Sequence, residues 1–394
     1  MIPGEAMTSR KTDRELIEMR RHLHRHPELS LREERTASYI EEKLRRFGIE
    51  KLERCAETGV VAVIEGGQPG ITKAYRADID ALPIQESSEA EYASQNPGVM
   101  HACGHDVHTT VGLGVARELF RRREELKGRV KLIFQPAEEA SPEDDPIGAE
   151  RMVQEGVLED PKVEAIFALH CMPALEVGKI GYTGGPVWAA SELVEIEIEG
   201  KKAHGAYPHE GVDAVVVAAQ LIQGLQQVVS RVVDARQACV LTIGRLEAGN
   251  SYNIIADRAK LTGILRGLSE EAMDRARGAI EEIVERLPAA FGARGRLKIT
   301  PGARLTANDL ALEERTVEMI RQKVGPEVLS RHLPQLGAED FSAFSRRVPG
   351  CYLFLGVRNE EKGIVNALHT PNFDVDEDCL GLGVKVMTEV LLAM

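Results

Sequence analysis

The chain has 394 residues, a net charge of -13 and 43% apolar residues, which is length for two or three domains and enough apolar content for ordinary cores. The diffuse acidic balance excludes a nucleic-acid phosphate backbone as partner. The longest apolar runs, such as VVAVI at 60–64, are far too short to span a bilayer, so no membrane partner is expected. The N-terminal stretch MIPGEAMTSRKTDRE lacks the apolar core of a secretory signal, and the protein is expected in the cytoplasm. The six cysteines are scattered without a CxxC pair and read as free thiols, mostly buried.

In chain order, a first helix is expected from Asp13 to Arg25, with Leu16, Met19 and Leu23 on one face and Pro27 beyond its end. A second runs over 33–47, burying Ala37, Ile40 and Leu44 and stopping at Gly48. Residues 60–66 and 72–80 then read as strands, 109–125 as a helix, and VKLIFQ (130–135) and EAIFAL (164–169) as buried strands. Strands alternating with helices predict an α/β domain with a mostly parallel core sheet.

From about 190 to 301 the order changes to strand, helix, strand, strand, helix, strand. The pieces are 192–200, 212–233, 239–246, 253–266, 269–287 and 296–300. This βαββαβ order predicts a smaller ferredoxin-like domain inserted into the first. The expected division is 1–188 for the first part of the α/β domain, 189–302 for the insert and 303–394 for the return. The return holds a helix at 311–323 and a strand at 351–357. The polar stretch SPEDDPIG at 141–148 reads as a surface loop.

Chemistry concentrates at a few points. HACGHDVH (101–108) places Cys103 and His105 two residues apart just before a helix, and thiolate with imidazole suits zinc, manganese, cobalt or nickel. QPAEEA (135–140) ends a buried strand in two glutamates, one able to hold a metal and the other to move protons. EAIFALH is a buried strand ending in His170, and ALHTPNFD carries His369 in a late loop. Any one of these alone reads as a capped turn, an acidic loop or a packed histidine. Three of the four lie where a strand ends or a helix begins, the edge that forms the ligand crevice of open α/β sheets.

These residues resemble the M20 metallopeptidases. The resemblance is carried by HRHPELSLRE (24–33), RADIDALPI (76–84), MHACGHDVH (100–108), QPAEE (135–139), His170, GAEDFS (337–342) and ALHTPNFD (367–374), over nearly the whole chain. It is nearest the subgroup of hippurate hydrolases, bacterial aminoacylases and plant auxin-conjugate hydrolases. It implies a phosphorylase/hydrolase-like catalytic domain and the insert as a lid. It implies that Cys103, His105, Glu139, His170 and His369 hold two divalent ions, manganese or zinc, with cobalt and nickel as further candidates. Glu138 is the implied general base. The segment GKKAHGAYPHEGVDA (200–214) implies that His204 polarises the substrate carbonyl, with Asn253 and Arg266 binding the substrate. Asp78, Asp80 and Asp106 are expected to orient ligand histidines, and Glu339 is a further candidate for the metal's inner or outer shell.

The implied reaction is metal-dependent hydrolysis of the amide bond in a small N-acyl amino acid, by a homodimer or homotetramer assembled through the lid. A dipeptidase or carboxypeptidase is the alternative within the family. Two readings stand outside it: a thiol enzyme with Cys103 as nucleophile and His105 or His108 as base, and a binding module without activity. The thiol reading leaves Glu138, Glu139 and the distant histidines without a role, and the intact Glu138 speaks against an inactive scaffold.

Overall fold

The computed structural model describes residues 13–140 and 148–394. The loop expected at 141–148 therefore lies, but for Gly148, outside the described residues. The chain forms two compact units. The first takes in residues 13–185, Ala307–Leu333 and Ala343–Met394; the second takes in Pro186–Thr306 and Pro334–Ser342.

The elements in chain order begin with α1 (Arg14–Arg25), α2 (Glu34–Arg46), β1 (Leu52–Cys55), β2 (Gly59–Glu65), β3 (Gln68–Asp78), α3 (His105–Arg121), β4 (Lys127–Gln135), α4 (Gly148–Gln154), β5 (Ala165–Glu176) and β6 (Ile180–Tyr182). There follow β7 (Pro186–Trp188), β8 (Ala190–Glu199), β9 (Ala203–His204), α5 (Ala214–Gln227), β10 (Cys239–Ala248), β11 (Ile254–Ile255), β12 (Arg258–Gly267), α6 (Glu270–Ala290) and β13 (Arg294–Pro301). The chain closes with β14 (Thr306–Ala307), α7 (Leu310–Lys323), β15 (Leu329–Arg331), α8 (Ser342–Ser345), β16 (Gly350–Arg358) and α9 (Cys379–Ala393).

In the first unit, eight strands form one sheet in the order β1-β2-β4-β3-β5-β16-β6-β15. Its centre, β4-β3-β5-β16, is parallel. In the flanks β1–β2, β2–β4 and β16–β6 are antiparallel, while the edge pair β6–β15 is parallel. The sheet as a whole is thus mixed, around a core that is parallel as expected. Only three residues join β1 to β2, and so short a link can make only an antiparallel hairpin. The parallel strands are covered on both faces, which is why 351–357 reads as an unbroken apolar run and why even Lys131 and Gln135 of β4 are buried. The α1 face Leu16, Met19 and Leu23 and the α2 face Ala37, Ile40 and Leu44 are buried as their spacing dictates. The C-terminal α9 adds a helix that the sequence reading left unassigned; it is buried nearly all round, so it shows no polar face to betray it.

In the second unit, β10-β12-β8-β13 form an antiparallel sheet. Ala190, Glu192, Val194, Ile196 and Ile198 of β8 are buried and alternate with more exposed residues. Helices α5 and α6 share the core with that face. The opposite face carries ion pairs, Lys260–Glu195 at 2.9 Å and Arg296–Glu199 at 3.2 Å. The helix expected at 212–233 is α5 followed by a wider π-type turn over Val228–Val232. Among the described residues no helix is long and apolar enough to cross a membrane.

Candidate metal centre

Helix α3 starts at His105, four residues before the sequence suggested, because Gly104 supplies the N-cap with a left-handed backbone at φ 85° and no side-chain cap announces it. A Cβ at Gly104 would meet Cys171 Sγ at 2.9 Å, so the close approach also demands glycine. The early start puts His105 and His108 on one face of the first turn. His105 Nδ1 lies 3.1 Å from Asp80 Oδ1, which fixes its proton there. Its Nε2 is buried without a hydrogen-bond partner, 3.7 Å from Asp78 Oδ1 and 3.9 Å from Glu138 Oε2. Burial would lower the pKa of this imidazole, but Asp78, Asp80 and Glu139 outweigh it and lift it to about 10.

His170 was expected at the end of its strand. Instead β5 runs on to Glu176, because the pairing with β16 shifts register around Pro173 and accommodates it. Its Nδ1 bonds the Cys171 carbonyl at 2.7 Å, and its Nε2 faces Cys103 Sγ at 3.5 Å. Burial, with His108 beside it, holds this imidazole well below its usual range. Burial and the charges of Glu139, Glu138 and Asp78 push the Cys103 thiol well up.

After β4, Pro136 leads into Ala137, held at a left-handed φ of 55°, and then into the Glu138–Glu139 turn. Two backbone N–H groups anchor that turn: Ala137 donates to Glu33 Oε1 at 2.9 Å and Glu139 to Asp80 Oδ2 at 2.9 Å. His369 also sits at a left-handed φ, 60°, with its N–H donated to Ala102 O. Its Nε2 lies 3.1 Å from Glu139 Oε1, and its side chain is 51% exposed.

All five expected ligands are thus gathered in the first unit. Their donor atoms form overlapping triads within 4.8 Å: Cys103–His105–His170, Cys103–Glu139–His369 and His105–Glu138–Glu139. A thiol, imidazoles and carboxylates around a buried, unpartnered imidazole nitrogen suit divalent transition metals, and a cation would offset the crowding of Asp78, Asp80, Glu138 and Glu139. A further triad, Asp78–His105–His108, is spatially close but chemically excluded. His108 Nε2 already accepts the Cys171 N–H at 2.8 Å, so its proton sits on Nδ1, facing Asp78 Oδ1 at 2.5 Å.

Asp106 departs from expectation. It turns away from the ligands and accepts from Arg20 Nε at 2.8 Å, with His24 Nδ1 also at 2.8 Å. Acidic residues in the first turn of a helix commonly face its own N–H groups, and no local signal marks a distant arginine as the partner. The sequence reading also gave no chemical role to Ser30 and Glu33. Ser30 Oγ donates to Asp80 Oδ2 at 2.7 Å, and Glu33 holds the turn at Ala137.

In the second unit, His204 on β9 pairs with Ile254 of β11, and Gly205 N–H donates to Asn253 O, so His204 and Asn253 are neighbours. Ala206 N–H donates to His204 Nδ1 at 3.1 Å, which leaves Nε2 to carry the proton of the neutral ring on an exposed side chain. Arg266, on β12, donates Nη1 to Leu336 O at 2.8 Å. Its Nε is buried without a hydrogen bond, and no carboxylate pairs with it among the described residues. Burial lowers its pKa. Glu339 is in this unit too, accepting the Phe341 N–H at 2.9 Å.

Comparison with known proteins follows the same lines. The family description "Peptidase family M20/M25/M40" matches residues 74–393. An N-acetylcysteine deacetylase from Bacillus subtilis is 39% identical over 376 residues, covering 95% of each chain. Thermostable carboxypeptidase 2 from Saccharolobus solfataricus is 37% identical over 382 residues, covering 96% of this chain and 94% of its own. Among solved structures, a Bacillus subtilis protein described as a dinuclear metal binding peptidase from the M20 family superposes with a TM-score of 0.84. It is 36% identical and covers 96% of this chain and 97% of its own.

Proposed function

The chain belongs to peptidase family M20/M25/M40, and from that premise we propose a two-metal amidohydrolase that cleaves the amide bond of N-acyl amino acids. The observation that carries this reading is the convergence of Cys103, His105, Glu139, His170 and His369 beside Glu138, with hydrogen bonds that fix the tautomers of both buried imidazoles. These five residues would hold two divalent ions, manganese or zinc. When bound, such ions supply Lewis acidity and make a water acidic enough to lose a proton near neutral pH.

The remaining chemistry belongs to side chains. Glu138 takes the proton of the attacking water and delivers it to the leaving nitrogen, since an amide anion is too basic to depart unprotonated. His204, protonated on Nε2, donates to the carbonyl oxygen as charge develops there. Arg266, half-buried without a carboxylate, suits the free carboxylate of an amino acid. Asn253 assists in holding the substrate. Asp80 keeps His105 in the tautomer that presents Nε2.

The second unit is assigned to a ferredoxin-like lid over about 189–302, a reading its βαββαβ order and antiparallel sheet support. Assembly as a homodimer or homotetramer through that lid is part of the proposal. So is a cytoplasmic location, supported by six buried free cysteines. The test is a hydrolysis screen of N-acetyl, N-benzoyl and N-carbamoyl amino acids and of dipeptides. It uses chelated protein with each divalent metal added back. Metal-dependent release of amino acids from the acyl series supports the reading. Preference for dipeptides moves the protein to the peptidase branch, and activity indifferent to chelation overturns the metal assignment.

A further inference from the structure

The motif HRHPELSLRE has no part in the proposed reaction, yet its last residue, Glu33, is hydrogen-bonded to the glutamate turn. Glu33 occupies the N-cap of α2 but makes no capping hydrogen bond with its side chain. Glu28 does that work, with Oε2 accepting the Thr36 N–H at 2.8 Å and the Thr36 hydroxyl at 2.9 Å. The Glu33 carboxyl is thereby released to reach across the unit, fully buried. One oxygen accepts the Thr58 hydroxyl at 2.7 Å and the other accepts the Ala137 N–H at 2.9 Å. Ala137 is the residue forced into the left-handed region, which L-residues with a Cβ resist. Without an anchor at its N–H, that residue relaxes toward ordinary backbone angles, and the carboxyl that follows it in the chain moves with it.

We propose that Glu33 is a positioning residue for the hydrolytic reaction: by fixing Ala137 in the left-handed conformation it sets the direction of the Glu138 carboxylate. The role rests on the reading of Glu138 as general base. It divides the labour in the turn, with Asp80 holding Glu139 through its N–H on one side and Glu33 holding Ala137 on the other. A glutamine at position 33 retains both bonds, since its oxygen accepts from Ala137 and its amide donates to the Thr58 hydroxyl. Alanine retains neither. Aspartate, one methylene shorter, does not span both partners.

The experiment compares Glu33→Gln, Glu33→Asp, Glu33→Ala and the double variant Glu33→Ala/Ala137→Gly in the metal-loaded protein, with Glu138→Gln in parallel. Readouts are kcat, KM, metal content and melting temperature on an N-acyl amino acid the wild type cleaves. Glu33→Ala and Glu33→Asp are expected to lower kcat roughly 10–100-fold, with KM and metal content little changed, as a displaced general base does. Glu33→Gln should stay within about threefold of wild type. Glycine at 137 adopts left-handed angles without an anchor, so the double variant should regain kcat over Glu33→Ala even though it regains no stability. Wild-type kcat in Glu33→Asp, or equal loss in the glutamine and alanine variants, overturns the positioning role; so does failure of the glycine to restore kcat. If Glu33→Ala does not fold, the aspartate and glutamine variants decide. Full activity in Glu138→Gln instead overturns the general-base reading, a result distinct from any of these.

Discussion

The Cys171 N–H donates to His108 Nε2 at 2.8 Å, and this one bond removes His108 from the candidate ligands although its ring centroid lies 4.5 Å from that of His170. His108 instead ties β5 to the end of β3 through Asp78. His108→Ala should therefore keep its metal content by elemental analysis while losing about 2–3 kcal/mol of stability, from leaving buried groups unpaired. His105→Ala should lose metal. Equal metal loss in both would restore His108 as a ligand.

Glu138 and Glu139 are adjacent but anchored differently, and their substitutions should separate. Glu138→Gln should bind metal normally and lose on the order of 10²–10⁴-fold in kcat. Glu139→Gln, which weakens a proposed ligand 3.1 Å from His369, should need much more added metal to reach its maximum rate. Metal titrations monitored by activity and by elemental analysis distinguish the two.

Arg266 should act on one substrate group. Its replacement by alanine should raise KM about 10–100-fold for an N-acyl amino acid, the scale of a lost charge-assisted hydrogen bond pair. The same change should matter little for the corresponding amino acid amide, which lacks the carboxylate. A uniform KM rise across both substrates would point to the Leu336 contact rather than to substrate.

His204→Ala should reduce kcat by roughly 10²–10³-fold, the scale of a lost oxyanion donor, with metal content intact. Because Ala206 reserves Nδ1, a glutamine at 204 should recover little. A variant at position 204 with wild-type kcat would end the assignment.

Glu33 also predicts a pH effect. Burial, reinforced by Asp80, raises its pKa to about 7 from an ordinary 4.5. A raised carboxyl pKa means the folded state prefers the protonated form, so the associated stability is complete below pH 4.5 and is lost as pH climbs through 7. Glu33→Gln does not titrate. In chelated protein, its melting temperature relative to wild type should therefore rise between pH 4.5 and 7 and level off above. A constant difference across that range would mean that Glu33 does not titrate there.

The candidate donors around 103 and 138 stand out because they sit in short runs of rare residue types, cysteine with histidines and paired glutamates, whereas His170 and His369 are lone histidines that only the resemblance to the M20 family singles out as ligands. What the sequence hid was direction. Nothing local in HDVH separates His105, whose Nε2 is left open, from His108, whose Nε2 is taken by a backbone N–H more than sixty residues away. The same holds for Asp106, whose partners Arg20 and His24 lie on α1, and for Glu33, whose partners at 58 and 137 meet only in three dimensions. Elements with a one-sided apolar pattern, α1, α2 and β8, were legible; α9, apolar on all sides, was not.

The neighbouring strands β5 and β16 carry a consequence for how the chain matures. Ile166 pairs with Gly350, a separation of 350 − 166 = 184 residues, and the whole of Pro186–Thr306 is threaded between them. During synthesis the apolar edge of β5 must wait for most of the remaining chain before its partner leaves the ribosome. That wait leaves an unpaired hydrophobic strand open to wrong partners. Folding of the intervening segment as its own unit, with its own core, shortens the effective distance that β16 must search. Truncations that stop short of residue 350 should therefore aggregate even though every proposed metal donor except His369 is already present in them.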